Sequence, residues 1–185
     1  KFRALDLFCC AGGASMGLHQ AGFEVVGVDI APQPHYPFQF HQADALTYPL
    51  AGFDFIWASP PCQRFSDLAK RNGNAADWPD LVDPIRQRLV ANGAYFVIEN
   101  VEGAPLRRDL ILCGTMFPGL RVLRHRVFEA NFVLSQPSHP RHPLVFTHDK
   151  RKAHYGKMVQ DQSFVQVTGG GNCSIVNARA AMGIE

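Results

Sequence analysis

The sequence predicts an α/β fold, a doubly wound and mostly parallel sheet covered by helices, and three observations predict it. Short apolar runs, rich in Val, Ile and Phe, alternate with helical stretches through the first half of the chain. Those runs are nearly continuous rather than alternating, the pattern of strands buried on both faces. Glycine or proline turns end most of them. At 185 residues, 46% hydrophobic and 18% charged, the chain fits one folded domain and is not disordered as a whole. Its formal charge of +2 does not by itself announce a nucleic-acid partner.

The elements follow in order. Ala4–Cys9 reads as a first strand running into the turn Ala11-Gly12-Gly13, and a helical stretch closes at Gly22. Phe23–Ile30 is a second strand ending at Asp29, and Asp44 sits at the end of a third. Phe53–Ser59 is cut off by Pro60-Pro61. Leu81, Ile85 and Leu89 repeat at helical spacing, and Asn92-Gly93 stops that helix. Tyr95–Val101 is another buried strand, interrupted by Glu99-Asn100. The polar stretch Asp67–Asp80 reads as a mobile loop. Arg124-His125-Arg126 opens a further strand with both arginines on one face. Beyond about Phe132 the texture changes. Residues 138–157 hold Arg141, Lys150, Arg151, Lys152 and Lys157 against Asp149, and Ser174–Met182 reads as a short helix. The domains expected are 1–132 as the catalytic domain, 133–172 as a short irregular recognition segment, and 173–185 as a returning helix, with the chain a monomer.

In an open α/β sheet, ligands bind at the carboxyl ends of the strands, and the distinctive residues fall there. Gly12 and Gly13 let the backbone approach a ligand, and the next helix offers amide groups to an anion. The turn is not G-x-G-x-x-G, so a dinucleotide pyrophosphate fits poorly and a carboxylate fits well. Asp29 suits a ribose diol and Asp44 an exocyclic amine. Together they describe a pocket for a nucleoside with an amino-acid tail, S-adenosylmethionine. Cys62 follows Pro60-Pro61 on a stiff loop, and Arg64 beside it favours the thiolate. Glu99, flanked by Val97, Ile98 and Val101, suits a carboxylic acid that donates a proton. Arg124 and Arg126 suit an acceptor oxygen plus a phosphate. The five cysteines are odd in number and contain no C-x-x-C pair. Disulfides and structural zinc both read poorly, no metal is expected, and a reducing cytoplasm fits. No stretch approaches the length of a membrane helix.

These pieces, taken together, resemble the DNA cytosine-5 methyltransferase family. The resemblance rests on an ordered series: DLFCCAGG at Asp6–Gly13, VDI at Val28–Ile30, SPPCQRFS at Ser59–Ser66, ENV at Glu99–Val101, and RHRVF at Arg124–Phe128. ARAAMGI at Ala178–Ile184 is similar to the segment that follows the family's recognition region. The resemblance implies a Rossmann-like methyltransferase fold and a flipped-out cytosine, since the chemistry is impossible inside a stacked duplex. It implies that Cys62 adds to C6, that Glu99 acts at N3, and that Arg126 binds O2 with Arg124 in support. It places Phe8, Cys10, Gly12, Gly13, Asp29, Ile30, Asp44, Ala45 and Pro61 at the S-adenosylmethionine, and Gln63, Arg64, Ser66, Lys150, Arg151 and Lys152 on double-stranded DNA. A bacterial or phage-encoded cytoplasmic protein is expected.

Several departures stand out. Ser59-Pro60 replaces the family's usual Gly-Phe, and Asp29 stands where Glu is commoner. Cys9 and Cys10 are expected to be packing residues. The family's final Gly-Asn motif is expected after Met182-Gly183, and the sequence ends at Glu185 before reaching it. Three rivals remain at this point: a tRNA cytosine-5 methyltransferase, a catalytically idle DNA-binding relative, and an unrelated thiol hydrolase pairing Cys62 with His125. A nicotinamide dehydrogenase is disfavoured for want of a phosphate loop.

Overall fold

Buried β-branched and aliphatic runs set the architecture. Seven strands form one sheet in the order β3-β2-β1-β4-β5-β7-β6. The computed structural model describes residues 1–142. The strands are β1 (Arg3–Leu7), β2 (Glu24–Asp29), β3 (Gln39–Gln42), β4 (Phe55–Ala58), β5 (Tyr95–Asn100), β6 (Leu110–Cys113) and β7 (His125–Ala130). Strands β3, β2, β1, β4 and β5 are parallel neighbours, and β7 runs antiparallel to β5. The doubly wound, mostly parallel sheet expected from the sequence is therefore present. Its order reverses at β1, where β4 leaves on the side opposite β2, and such a switch point is where open α/β sheets bind ligands.

Three α-helices are described: α1 (Gly13–Gln20), α2 (Asp67–Arg71) and α3 (Val82–Asn92). Helix α3 buries Val82, Ile85 and Leu89, the spacing of one helical face. It ends where Gly93 takes a left-handed conformation, φ 80°. The core joins Leu5, Leu7, Val26, Val28, Ile56 and Ile98 of the strands to those three helix residues. Two compact units are distinguishable. The first is Lys1–Leu110 with Val127–Leu134, and the second is Ile111–Arg126 with the chain from Ser135 onward.

Two local expectations are corrected. Residues 67–80 are not a plain loop, because they contain α2 and a 3-10 turn at Ala75–Asp77. Ser66 accepts a hydrogen bond from the Ala69 amide at 3.2 Å, Asp67 lies in the first turn, and Lys70 and Arg71 lie in the last. That is a capped helix with charges matched to its dipole. Glu99 and Asn100 do not interrupt β5 but belong to it, paired with Phe128 and Val127 of β7. The C-terminal helix expected at Ser174–Met182 lies outside the described residues.

Candidate active site

The strand register builds the site edge. Leu7 pairs with Val28 on one side and with Ala58 on the other, and Ala58 pairs with Ile98. The next residues along each strand are Phe8, Asp29, Ser59 and Glu99, so these four form one row at the carboxyl edge. The loops that leave this row carry Cys10, Gly12, Ile30, Pro61 and Cys62.

The loop after β1 is conformationally unusual. Phe8 (φ 62°), Cys10 (φ 45°) and Gly12 (φ 89°) all have left-handed backbones. A non-glycine residue held there costs on the order of 1–3 kcal/mol, so the surroundings must impose it. They do so through three hydrogen bonds. The Cys9 amide donates to the Val28 carbonyl at 3.1 Å, and the Gly12 amide to the Cys9 carbonyl at 2.9 Å. The Cys10 amide donates to Asp29 Oδ2 at 3.0 Å. Cys9 is buried, and burial, with the nearby Asp6 and Asp29 charges, pushes its thiol up to about 12. Cys10 is exposed, which corrects the expectation that both cysteines pack. Its left-handed backbone places it in the turn rather than in the core.

Beneath this loop lies a network that motif reading missed. Ser15 on α1 donates to Asp6 Oδ2 at 2.5 Å, and its hydroxyl lies 2.5 Å from the Tyr36 hydroxyl. Asp6 is fully buried, and its Oδ1 has no hydrogen-bond partner among the described residues. Desolvation raises its pKa to about 6, although the Ser15 bond opposes the shift. Tyr36 also lies where a Cβ on Gly27 would stand, so only glycine fits that point of β2.

At the end of β2, Asp29 accepts from both the Cys10 and the Ala31 amides. Two acceptor oxygens offer about four lone-pair sites, so acceptor capacity remains for a ligand. Ile30 beside it is 72% exposed, unusual for a large aliphatic side chain next to a buried strand. Asp44 lies two residues beyond β3, and its Oδ1 accepts from the Leu46 amide at 2.8 Å. The Ala45 side chain is buried, and its carbonyl accepts from Arg88.

The Pro-Pro-Cys loop leaves β4. Ser59 accepts from the Trp57 indole at 2.7 Å. Pro60 is buried, Pro61 and Cys62 are half-buried, and the Cys62 thiol is free. Gln63–Phe65 form a 3-10 turn, with Gln63 exposed. Arg64 donates to the Trp78 carbonyl at 2.9 Å, which closes the 64–78 segment on itself. The Ser66 hydroxyl is engaged in capping α2 and donates to the Gln63 carbonyl. From β5, Asn100 donates to the Pro60 carbonyl at 2.9 Å. Glu99 is half-buried in the same strand.

Arg124 and Arg126 belong to the second unit. Arg124 lies just outside β7, which begins at His125, and Arg126 Nη1 donates to the His125 carbonyl at 2.8 Å. Lys150, Arg151 and Lys152 lie outside the described residues. Among the described residues, no helix is long and apolar enough to cross a membrane.

A switch-point sheet with a strained glycine turn after β1 and a proline-held thiol after β4 is an α/β arrangement whose distinctive residues gather at the carboxyl ends of its strands. The sequence pattern described as "C-5 cytosine-specific DNA methylase" matches residues 2–109, and the chain belongs to that family. It is 31% identical over 120 residues to "Type II methyltransferase M.HgiGI" of Herpetosiphon aurantiacus, covering 57% of this chain and 95% of that one. It is 30% identical to "Type II methyltransferase M.HgiDI" of the same organism, but spans only 39% of that relative. Among solved structures, it is similar to the S. pombe Dnmt2 methyltransferase at 21% identity and TM-score 0.49, covering 72% of this chain and 51% of the other.

Proposed function

We propose that this protein transfers a methyl group from S-adenosylmethionine to C5 of a flipped-out cytosine in double-stranded DNA, through a covalent bond between Cys62 and C6. The observation that carries the reading is the Cys62 thiol itself. It is free, half-buried, preceded by two prolines, and anchored through Pro60 to Asn100 of the neighbouring strand. A nucleophile needs that fixed placement, because correct orientation supplies much of the rate.

The residues present fit the cofactor. Gly13, where an added Cβ would meet nothing within 4 Å, opens α1 and leaves room against its first amides. Asp29 keeps acceptor capacity for a ribose diol, and the exposed face of Ile30 suits an adenine ring. Phe8, Cys10, Gly12, Asp44, Ala45 and Pro61 complete the set proposed to hold it. When bound, S-adenosylmethionine would supply the electrophilic methyl carbon that C5 takes up, its sulfonium sulfur leaving with the bond's electron pair as a neutral thioether.

The chain's own residues do the rest. The Cys62 thiolate forms a bond to C6, which pushes electron density onto C5. Glu99 holds a proton at N3 and draws electrons from C6 as the bond forms. Once C5 is methylated, its proton leaves to a base, and the C6–S bond breaks to return the thiolate. The roles given to Arg124 and Arg126 at O2, and to Gln63, Arg64 and Lys150–Lys152 on DNA, rest on sequence matching alone. The bacterial relatives support a cytoplasmic bacterial or phage setting.

The test is a trap. Duplex DNA containing 5-fluorocytosine is incubated with the protein and S-adenosylmethionine, and the products are read by intact-mass and peptide analysis. Fluorine cannot leave C5 as a proton does, so the enzyme–DNA bond should persist on Cys62 and vanish in Cys62→Ser. An adduct on tRNA in place of DNA, or S-adenosylmethionine binding with no adduct on either, would overturn the reading.

A further inference from the structure

Outside that site, the second unit gathers four metal-ligating side chains from distant points of the sequence. Cys113 ends β6, His125 begins β7, and His139 and His142 follow in the next stretch of chain. One ligand atom from each lies within 4.8 Å of every other. We propose that Cys113, His125, His139 and His142 bind a single divalent cation of the zinc class.

Two of the six ligand pairs lie close to the spacing of a tetrahedral ion. Zinc–nitrogen bonds of about 2.0–2.1 Å and zinc–sulfur bonds of about 2.3 Å set tetrahedral N···N pairs about 3.4 Å apart and S···N pairs about 3.6 Å apart. Cys113 Sγ lies 3.6 Å from His142 Nε2, and His125 Nε2 lies 3.2 Å from His139 Nε2. The protonation pattern fits too. His139 Nδ1 lies 2.7 Å from the Pro140 carbonyl, which can only accept, so Nδ1 carries the proton. With Nδ1 as the donor, Nε2 is the ring nitrogen that faces the cluster, the arrangement by which an outer hydrogen bond orients a histidine ligand. The three imidazoles pack with centroids 4.9–5.3 Å apart.

A second feature holds the ligands in place. The Gln136 side chain accepts from the Ile111 amide at 2.8 Å and donates to the Ile111 carbonyl at 3.0 Å. It thereby docks the segment carrying His139 and His142 along β6, two residues from Cys113. Three nitrogens and one thiolate favour zinc or cobalt over the hard cations magnesium and calcium. Four protein ligands make a closed, structural site rather than one with an open position for substrate. The ion would tie both strand ends to the chain that leads out of β7, with its His125 ligand lying between Arg124 and Arg126.

The experiment uses the full chain, purified without a histidine tag or chelator. Metal content is measured by plasma mass spectrometry, and Co²⁺ is then exchanged in and followed by absorption spectroscopy. The expected result is one zinc per chain, and a cobalt form with intense tetrahedral d–d bands and a thiolate charge-transfer band. Cys113→Ser should abolish the charge-transfer band. His139→Ala and His142→Ala should lower bound metal to background, while His35→Ala, an exposed histidine elsewhere, keeps it. A folded wild-type chain that binds neither zinc nor cobalt stoichiometrically overturns the proposal. So does a charge-transfer band that survives in Cys113→Ser. The wild-type measurements decide the matter even if a variant fails to fold.

Discussion

The buried side-chain amide of Asn100 donates to the carbonyl of Pro60 at 2.9 Å, joining the end of β5 to the loop that carries Cys62. The same side chain accepts from the Val101 amide at 2.8 Å through Oδ1. The Glu-Asn pair at this strand end thus divides its work. Glu99 is the proposed acid, and Asn100 is a positioning residue for the thiol loop.

Asn100→Ala should therefore damage the loop and the reaction together. It leaves a buried Pro60 carbonyl and the Val101 amide without partners, which costs roughly 1–3 kcal/mol for each buried group. Denaturant unfolding should show that loss. Trapping on 5-fluorocytosine DNA should slow at saturating S-adenosylmethionine, with cofactor affinity unchanged. A trapping rate equal to wild type would show that the loop holds Cys62 without this bond.

Ile30 and Asp29 are adjacent but should respond differently. Ile30→Ala removes a side chain that is 72% exposed, so stability should move by no more than about 0.5 kcal/mol. If the adenine packs on it, S-adenosylmethionine affinity should fall about tenfold, the effect of losing roughly 1.4 kcal/mol of contact. Asp29→Ala should lower both affinity and stability, because the Cys10 and Ala31 amides lose their acceptor and the left-handed turn loses a restraint. Calorimetric titration and thermal melts on the two variants separate these outcomes.

The sequence showed β1, β2, β4 and β5 because their apolar runs are continuous, but not β6, and it showed the thiol loop because two prolines beside a cysteine are locally distinctive. Other features depended on side chains meeting across long intervals. The bond between Asn100 and Pro60 spans 40 residues, and the contact between Ser15 and Tyr36 spans 21. Neither leaves a local pattern. The 67–71 helix was missed because its apolar face is short, although Ser66-Asp67 with Lys70-Arg71 was a readable cap and dipole signal. The histidine cluster leaves no paired-cysteine signature, because its ligands are mostly His and are scattered from residue 113 to 142. His139 and His142, three positions apart, are the local part of that pattern.

Glu129 offers a test of what holds α3 to the sheet. It is 2% exposed, and Arg86 of α3 grips it with Nε at 2.8 Å and Nη2 at 2.9 Å, while the Arg107 amide donates at 2.9 Å. Burial pushes its pKa up, but the Arg86 and Arg107 bonds outweigh that, and the net shift is downward. Arg86→Ala leaves a buried carboxylate without its cation, and should cost about 3–5 kcal/mol. In the wild type, the depressed pKa gives stability that is present above the unfolded value of about 4.3 and lost as pH falls through the folded one. Glu129→Gln should flatten that acid limb of the stability curve. Urea midpoints measured at descending pH read it directly.

Asp6 should act in the opposite sense. Its pKa is raised to about 6 by desolvation, against an unfolded value of about 3.9. The folded state therefore binds a proton that the unfolded state has released between these values. The stability this contributes is fully present below about pH 4, and is lost as pH rises through about 6. A shift of about two units corresponds to roughly 3 kcal/mol. Asp6→Asn keeps an oxygen for the Ser15 hydroxyl and cannot ionise, so stability should no longer fall across that window. Two variants then isolate the two limbs: Glu129→Gln changes the region below about pH 4, and Asp6→Asn the region from about 4 to about 6. If Asp6→Asn leaves the 4–6 region unchanged, Asp6 is ionised in the folded protein at pH 5, and the Ser15 bond at 2.5 Å outweighs its burial.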